Sequence, residues 1–279
     1  MIELELPEIE TYRRDLERDI IGRKVKSAEV TGLKSFPGLR SKKAFGVNIE
    51  GAKIATVERV ALHILIRLTN EFVIVIELGE HGRLGRMPSR QDKSPDTVGI
   101  LTFTQGGDLR IFDSEGSSSV QVVSDEDLDP VLPDPLSTGL DLQSRPVSWV
   151  DFGRLIRSHK VPLKLLLSDP TLFVGIGEIY SNEILFDAGL RHDRVSNELS
   201  TQEIRRLYRS VAGVIHDAIK HGGTSLETRP FDTVLGEPGE YSEYLAVYGK
   251  AGELSPRSRE PIQKTSFKHH VVFFCNTQV

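Results

Sequence analysis

Val174–Phe186 reads VGIGEIYSNEILF, and the rest of the chain is ordered around it. An apolar lead-in comes first, with Leu165, Leu166, Leu167, Leu172, Phe173 and Val174. Gly175 and Gly177 interrupt it, and a helical pattern follows with Ile179, Tyr180, Ile184, Leu185 and Phe186 inward. Two glycines just ahead of a helix let backbone N–H groups come close to an anion. The same pattern also suits a tight turn between packed helices, and an isolated G-x-G does not choose between them. The neighbours narrow the choice. Lys160-Val161-Pro162-Leu163-Lys164 lies upstream and Asp187-Ala188-Gly189-Leu190 downstream. A long amphipathic helix is predicted over Leu199–His221, with a capping box at Ser200 and Glu203 and a stop at Gly222-Gly223. Val247-Tyr248-Gly249-Lys250 comes later.

This order of motifs closely resembles the formamidopyrimidine-DNA glycosylase and endonuclease VIII family, over nearly the whole chain. The resemblance implies an α+β protein. Its expected parts are an N-terminal β-sandwich with a flanking helix, a C-terminal helical domain and a β-hairpin finger. The helical domain would hold a helix–two-turn–helix module that grips a DNA phosphate. The expected boundaries are a sandwich over 1–123, an acidic linker over 124–142, the helical domain over 143–246 and the finger over 247–279.

Composition sets outer limits. The hydrophobic fraction of 38% and the charged fraction of 27% are those of a soluble globular protein. No apolar run reaches the ~18 residues of a membrane span. Glu3, Glu5 and Glu8 near the N-terminus do not fit a signal peptide, and a cytoplasmic location is expected. The single Cys275 excludes an intrachain disulfide and an all-cysteine zinc site. A net charge of −5 lowers the expectation of tight non-specific DNA binding unless one face is basic.

The N-terminal half reads as one helix and then strands. Ile9, Tyr12, Leu16, Ile20 and Ile21 mark a helix that ends at Gly22. Strands are expected at Val25–Val30, Val57–Leu68, Phe72–Leu78, Ile100–Thr104 and Leu109–Phe112, a spacing that suits a two-layer sandwich. The resembled family begins Met-Pro-Glu-Leu-Pro-Glu, and the amine of its exposed proline attacks the sugar of a damaged nucleotide. Glu5-Leu6-Pro7-Glu8 fits that signature, but Leu4 stands at the nucleophile, behind Met1, Ile2 and Glu3. A peptide nitrogen inside a chain is not nucleophilic. Glu5 then has two readings, the family's general acid/base and an acid at a helix N-terminus, and Glu8 shares the second. Other family positions have also changed. Leu62 replaces a phosphate-binding Lys, Glu77 a phosphate-contacting His, and Glu80 a gap-filling Met. The family's Arg- and Phe-bearing hairpin reads Asp113-Ser114-Glu115-Gly116-Ser117-Ser118.

The C-terminal half carries the remaining candidates. Trp149, Phe152, Leu155 and Ile156 are expected inward on a helix. Arg154, Arg157, His159, Lys160 and Lys164 form a basic cluster that suits a phosphate chain or a solvated helix face. Lys164 matches a lysine that the family keeps near its active site. Gly175 and Gly177 would serve the phosphate. Glu178 replaces the family's phosphate-donating Asn and, when ionised, only accepts hydrogen bonds. The loop over 224–246 would read a flipped base. In the tail, the family's zinc cysteines fall on Ser255, Ser258, Cys275 and Gln278, so no metal or other cofactor is expected. A zincless hairpin is expected to be held by Val271, Phe273 and their neighbours. His270 stands for a phosphate-binding Arg.

Three functions remain open. One is a non-catalytic binding module for DNA, another nucleic acid or a protein, with weak duplex binding in the family mode. A second is an active glycosylase for damaged bases without the proline, using Lys164 as nucleophile or water assisted by Glu5 or Glu178. The third is an enzyme of another class built on Glu5, Glu8, Glu77 and Glu178.

Overall fold

The computed structural model describes residues 4–134, 138–144 and 146–279. The readings attached to Met1, Ile2, Glu3 and Pro135 lie outside the described residues. The chain forms two compact units. Leu4, Glu8–Pro133 and Ser225–Gly239 belong to the first, and Glu5–Pro7, Asp134–Thr224 and Glu240–Val279 to the second. Two short segments therefore cross the division read from composition: Glu5–Pro7 counts with the helical unit, and the loop Ser225–Gly239 with the sandwich.

Helix α1 spans Leu6–Ile20. Pro7 in its first turn needs no hydrogen bond there, and its fixed φ suits a helix start. Ile9, Tyr12, Leu16 and Ile20 recur at helical spacing and are all buried in the first unit's core. Eight strands follow: β1 (Val25–Val30), β2 (Ile54–Val60), β3 (His63–Leu68), β4 (Phe72–Glu77), β5 (Gly82–Met87), β6 (Thr97–Phe103), β7 (Asp108–Asp113) and β8 (Ser119–Ser124). They form two antiparallel four-stranded sheets, in the orders β1-β6-β7-β5 and β2-β3-β4-β8. This is the expected sandwich.

Three details differ from the sequence reading. The alternation over Val57–Leu68 is a hairpin rather than one strand. Val60 pairs with His63, and Ala61 takes a left-handed φ of 50° in the turn. A two-residue turn keeps the in–out alternation in phase, so periodicity alone does not reveal it. Strand β5 was not legible either, because Gly82, Arg83, Gly85 and Arg86 are poor strand formers. The acidic stretch after β8 is partly ordered. Asp125–Asp127 and Asp129–Val131 are 3-10 turns, and Leu128 between them is buried against Leu65, Val73 and Val75. That contact explains the continuous apolar run of β4. Ile74 and Ile76 face the main core, while Val73 and Val75 face Leu128.

The second unit holds α2 (Trp149–Ser158), α3 (Leu163–Leu167), α4 (Glu178–Ala188), α5 (Thr201–Lys220) and a hairpin of β9 (Gln263–Phe267) and β10 (His270–Phe274). Both halves of the capping box at Ser200 and Glu203 are present. Gly189 ends α4 at φ 67°, which a side chain rarely adopts. Two inward assignments are corrected. Trp149 is 39% exposed because it begins its helix beyond the buried stripe of Phe152 and Ile156. Val271 is exposed, and Val272, Phe273 and Phe274 are the buried residues of β10.

The loop Ser225–Gly239 is anchored rather than loose. Phe231 and Val234 are buried in the first unit's core, and Phe231 packs 5.1 Å from the Tyr12 ring. The Arg86 N–H donates to Val234 O at 2.7 Å. Phe231→Ala is expected to destabilise the first unit by about 3–5 kcal/mol, the usual cost of emptying a buried Phe site. Denaturant unfolding followed by circular dichroism checks this, and a change within ~0.5 kcal/mol would show that the loop is not part of the core.

Candidate nucleic-acid interface

The N-terminus of α4 is a ready-made anion site, since its first N–H groups have no helical partner. In this structure a carboxylate of the chain fills it. Glu5 accepts hydrogen bonds from the N–H groups of Gly177 (2.7 Å), Ile179 (3.0 Å) and Tyr180 (3.3 Å). Leu6 N–H donates to Gly175 O at 2.8 Å. Gly177 is needed for this approach, because a Cβ there would lie 2.7 Å from the Glu5 carboxyl carbon. Gly177 therefore admits Glu5, which is 3% exposed.

Glu178, the first residue of α4, reaches the finger hairpin. Its carboxylate accepts from Val271 N–H at 2.9 Å and lies 2.5 Å from His270 Nδ1. Lys164 Nζ is 3.7 Å from the same carboxylate. Asn182, one turn further on, continues the seam. Its amide donates to Val271 O at 3.0 Å, and its carbonyl accepts from Phe273 N–H at 2.8 Å. Helix α4 and strand β10 are thus sewn together through side chains of α4.

Lys164 is not a surface cation, contrary to its reading as part of a basic cluster. It is fully buried, and its ammonium donates to Ser181 Oγ at 2.6 Å. Burial pushes its pKa down to about 8, against the opposing pull of the Glu178 and Glu5 carboxylates. The same burial closes off the amine as a nucleophile. Arg154 and Arg157 sit elsewhere in the unit. Arg154 pairs with Asp151 at 2.9 Å, and Arg157 donates to Thr201 at 2.8 Å. Lys160 is exposed in the turn that leads into α3. The structure therefore gathers Glu5, Lys164, Gly177, Glu178 and His270, and leaves Arg154 and Arg157 exposed on α2. Ser181 and Asn182 were missed in the sequence. Their spacing from Glu178 is the only signal, and it places them on its helix face without showing their partners.

The first unit has its own altered positions. Leu62 packs against the core, and Glu77 is exposed on β4 with His63 Nε2 3.6 Å away. Glu8 is buried in the first turn of α1. Asp113 is buried and gathers its own loop. It accepts from Ser35 Oγ (2.8 Å) and from the N–H groups of Gly116 (2.9 Å), Ser117 (3.1 Å) and Ser118 (2.8 Å). Burial raises its pKa, but these donors outweigh burial and hold the carboxyl below the usual range. The loop that resembles the family's Arg- and Phe-bearing hairpin is folded around the Asp113 carboxylate.

In the tail, the four positions that resemble zinc ligands form a hydrogen-bonded knot. Gln278 Oε1 accepts from Cys275 N–H at 2.9 Å, and its amide donates to Leu190 O at 2.8 Å. Ser255 Oγ accepts from the N–H groups of Arg257 (3.2 Å) and Ser258 (3.4 Å). Burial raises the Cys275 pKa, while hydrogen bonds with Thr277, Ser255 and Ser258 bring it down to a net lowering. Among the described residues no three His, Cys, Asp or Glu side chains gather as a metal site, and no helix is long and apolar enough to cross a membrane.

The lysine gives a direct pH signature. Between about pH 8 and the ordinary 10.5, the unfolded chain holds a proton on Lys164 that the folded chain has lost. Stability from this group therefore rises with pH across that window and is flat below it. A ¹³C NMR titration of the lysine side chains, with Lys164 assigned through Lys164→Arg, is expected to show one midpoint near 8. A midpoint near 10.5 would mean that the amine is solvated.

The geometry has counterparts among known proteins. Residues 4–119 match the formamidopyrimidine-DNA glycosylase N-terminal domain, and residues 138–230 match the formamidopyrimidine-DNA glycosylase H2TH domain. A formamidopyrimidine-DNA glycosylase of Laribacter hongkongensis is 31% identical over 280 residues, covering 97% of each chain. One from Desulfitobacterium hafniense is 30% identical over 255 residues, covering 89% of each. The crystal structure of MutM (Fpg) from Thermus thermophilus superposes with a TM-score of 0.82 at 29% identity, covering 98% of this chain and 97% of that one. The Lactococcus lactis Fpg in complex with DNA containing an abasic site superposes with a TM-score of 0.86 at 26% identity, covering 99% of both. With two domain matches in order and relatives aligned along most of their length, this chain belongs to the formamidopyrimidine-DNA glycosylase family.

Proposed function

We propose that this protein is a nucleic-acid-binding member of the family that works without amine attack by an N-terminal proline. The observation that carries this reading is the carboxylate of Glu178, bound to His270 Nδ1 and Val271 N–H at the head of α4. The family resemblance places there an Asn that donates to a DNA phosphate. A bound carboxylate offers no donor, and its charge opposes a phosphate. Leu4 at the nucleophile position points the same way. DNA is the partner class, because the L. lactis relative is seen with abasic-site DNA. Duplex held through this region would be weak, on the order of 10⁻⁴–10⁻⁶ M near physiological salt.

A second reading keeps catalysis and uses Lys164. It is favoured by one observation, the lowered pKa of about 8, which leaves part of the amine neutral near pH 7. It requires Lys164, which is fully buried, to become exposed.

Borohydride trapping on duplexes with abasic or oxidised-purine sites separates the readings. No covalent adduct is expected. An adduct mapped to Lys164 would establish the second reading, and one mapped to the N-terminal peptide would overturn the proposal. Glu178→Asn is expected to strengthen duplex binding roughly fivefold, since a donor replaces a repelling acid.

A further inference from the structure

Helices α2 and α5 pack antiparallel along one flank of the second unit. Gly153 faces Ile204 with room for a Cβ at 3.5 Å, and Arg157 reaches Thr201 at the other end of the contact. Phe152 and Tyr208 meet edge to face at 5.4 Å, and the Tyr208 hydroxyl donates to Val147 O at 2.7 Å. Their buried stripes are therefore spent on each other and on the core. What they leave outside is uneven in charge. The segments 149–160 and 201–209 carry six Lys and Arg against two acids, in a chain of net charge −5.

Of the two acids, Asp151 sits on this face paired with Arg154, and only Glu203 is drawn off it. Val150, Arg154 and Arg157 recur at the four- and three-residue spacing of one helix stripe, and Arg205 and Arg209 do so on α5. Glu203 is turned away to close the capping box and pair with Arg194 at 3.2 Å. Asp151 is held by Ser148 and Arg154. At the end of this face stands Trp149, 39% exposed, with the Arg205 guanidinium 4.8 Å from its ring. Val150 beside it is 50% exposed.

We propose that this α2–α5 face binds single-stranded nucleic acid, with a base stacked on Trp149 and phosphates along Arg154, Arg157, Arg205 and Arg209. The Trp149 ring is part-exposed with Arg205 over it, so an unpaired base can pack against its exposed part, whereas bases inside a duplex cannot reach it. From Trp149 to Arg157 the face runs about 12 Å, eight residues at helical rise, enough for a few nucleotides. Arginine on the ring adds a cation–π contact of the kind found on strand-binding platforms. An acidic protein segment would satisfy the arginines but leave the exposed part of the indole unused. The inference rests on the reading of this chain as a nucleic-acid binder and assigns it a surface separate from the head of α4.

Trp149 is the only tryptophan, so its fluorescence reports on this face alone. Titration of the full chain with oligothymidylate of about ten nucleotides is expected to quench it. The salt slope should be about −3, from roughly four phosphates at about −0.7 each. Arg205→Glu with Arg209→Glu should weaken binding at least tenfold and remove most of that slope. Trp149→Leu, followed by anisotropy of a labelled strand, should weaken it about tenfold. Thermal unfolding of each variant separates loss of binding from loss of fold, and Arg154→Ala with Arg157→Ala supplies an independent pair. Strand binding without Trp149 quenching and indifferent to the arginine changes would overturn this inference and leave the earlier reading standing. No binding of any single strand or duplex would overturn both. Quenching by polyglutamate but not by oligothymidylate would replace the nucleic acid with an acidic protein segment.

Discussion

A carboxylate at the head of a helix governs the second unit. Glu5 takes three N–H groups at the start of α4, the place where the helix dipole most favours a negative charge. That contact fixes residue 5 against residues 177–180 and explains why a glycine occupies position 177. Lys164 is buried beneath it because two carboxylates, Glu5 and Glu178, offset part of the cost of a desolvated ammonium. Glu178 Oε2 lies near Lys164 and accepts from Val271 N–H, while its Oε1 holds His270 Nδ1. Asn182 repeats the same link one turn further along. The finger thus has polar anchors on α4 in addition to its own apolar cluster of Phe273, Ile262 and Val247.

This arrangement gives the altered residues a common physical sense. Glu178 and Glu77 each lie beside partners within the chain. Glu178 has His270, Val271 and Lys164, and Glu77 lies near His63. Asp113 accepts from four donors, and Gln278, Cys275 and Ser255 are tied by hydrogen bonds in the tail. Arg154, Arg157, Arg205 and Arg209 are exposed on α2 and α5, and arginine suits phosphate better than lysine because of its planar fork of donors.

The sequence made the architecture legible where periodicity and caps agree. The α5 capping box, the α1 stripe of Ile9, Tyr12, Leu16 and Ile20, and the apolar run of β4 all read directly. The turn at Ala61 did not, because a two-residue hairpin preserves alternation. Strand β5 did not, because its glycines serve close packing rather than propensity; a Cβ on Gly82 would collide with Ser118. At the site, the residue types were legible and their partners were not. Gly175 and Gly177 announced an anion at the helix head, but nothing local showed that the anion is Glu5, 172 positions away. Lys164 read as a surface cation because charge in a sequence carries no burial. Trp149 read as core because an aromatic at helical spacing usually is, yet it falls at the helix's first residue.

The central claim is that the head of α4 is filled by the chain's own carboxylates. Amide NMR during titration with a short duplex carrying an abasic-site analogue tests it most directly. The N–H signals of Gly177, Ile179, Tyr180 and Val271 are expected to stay in place while signals on other surfaces respond to the DNA. Movement of those four signals, with the pattern of a phosphate displacing Glu5 or Glu178, would contradict the account.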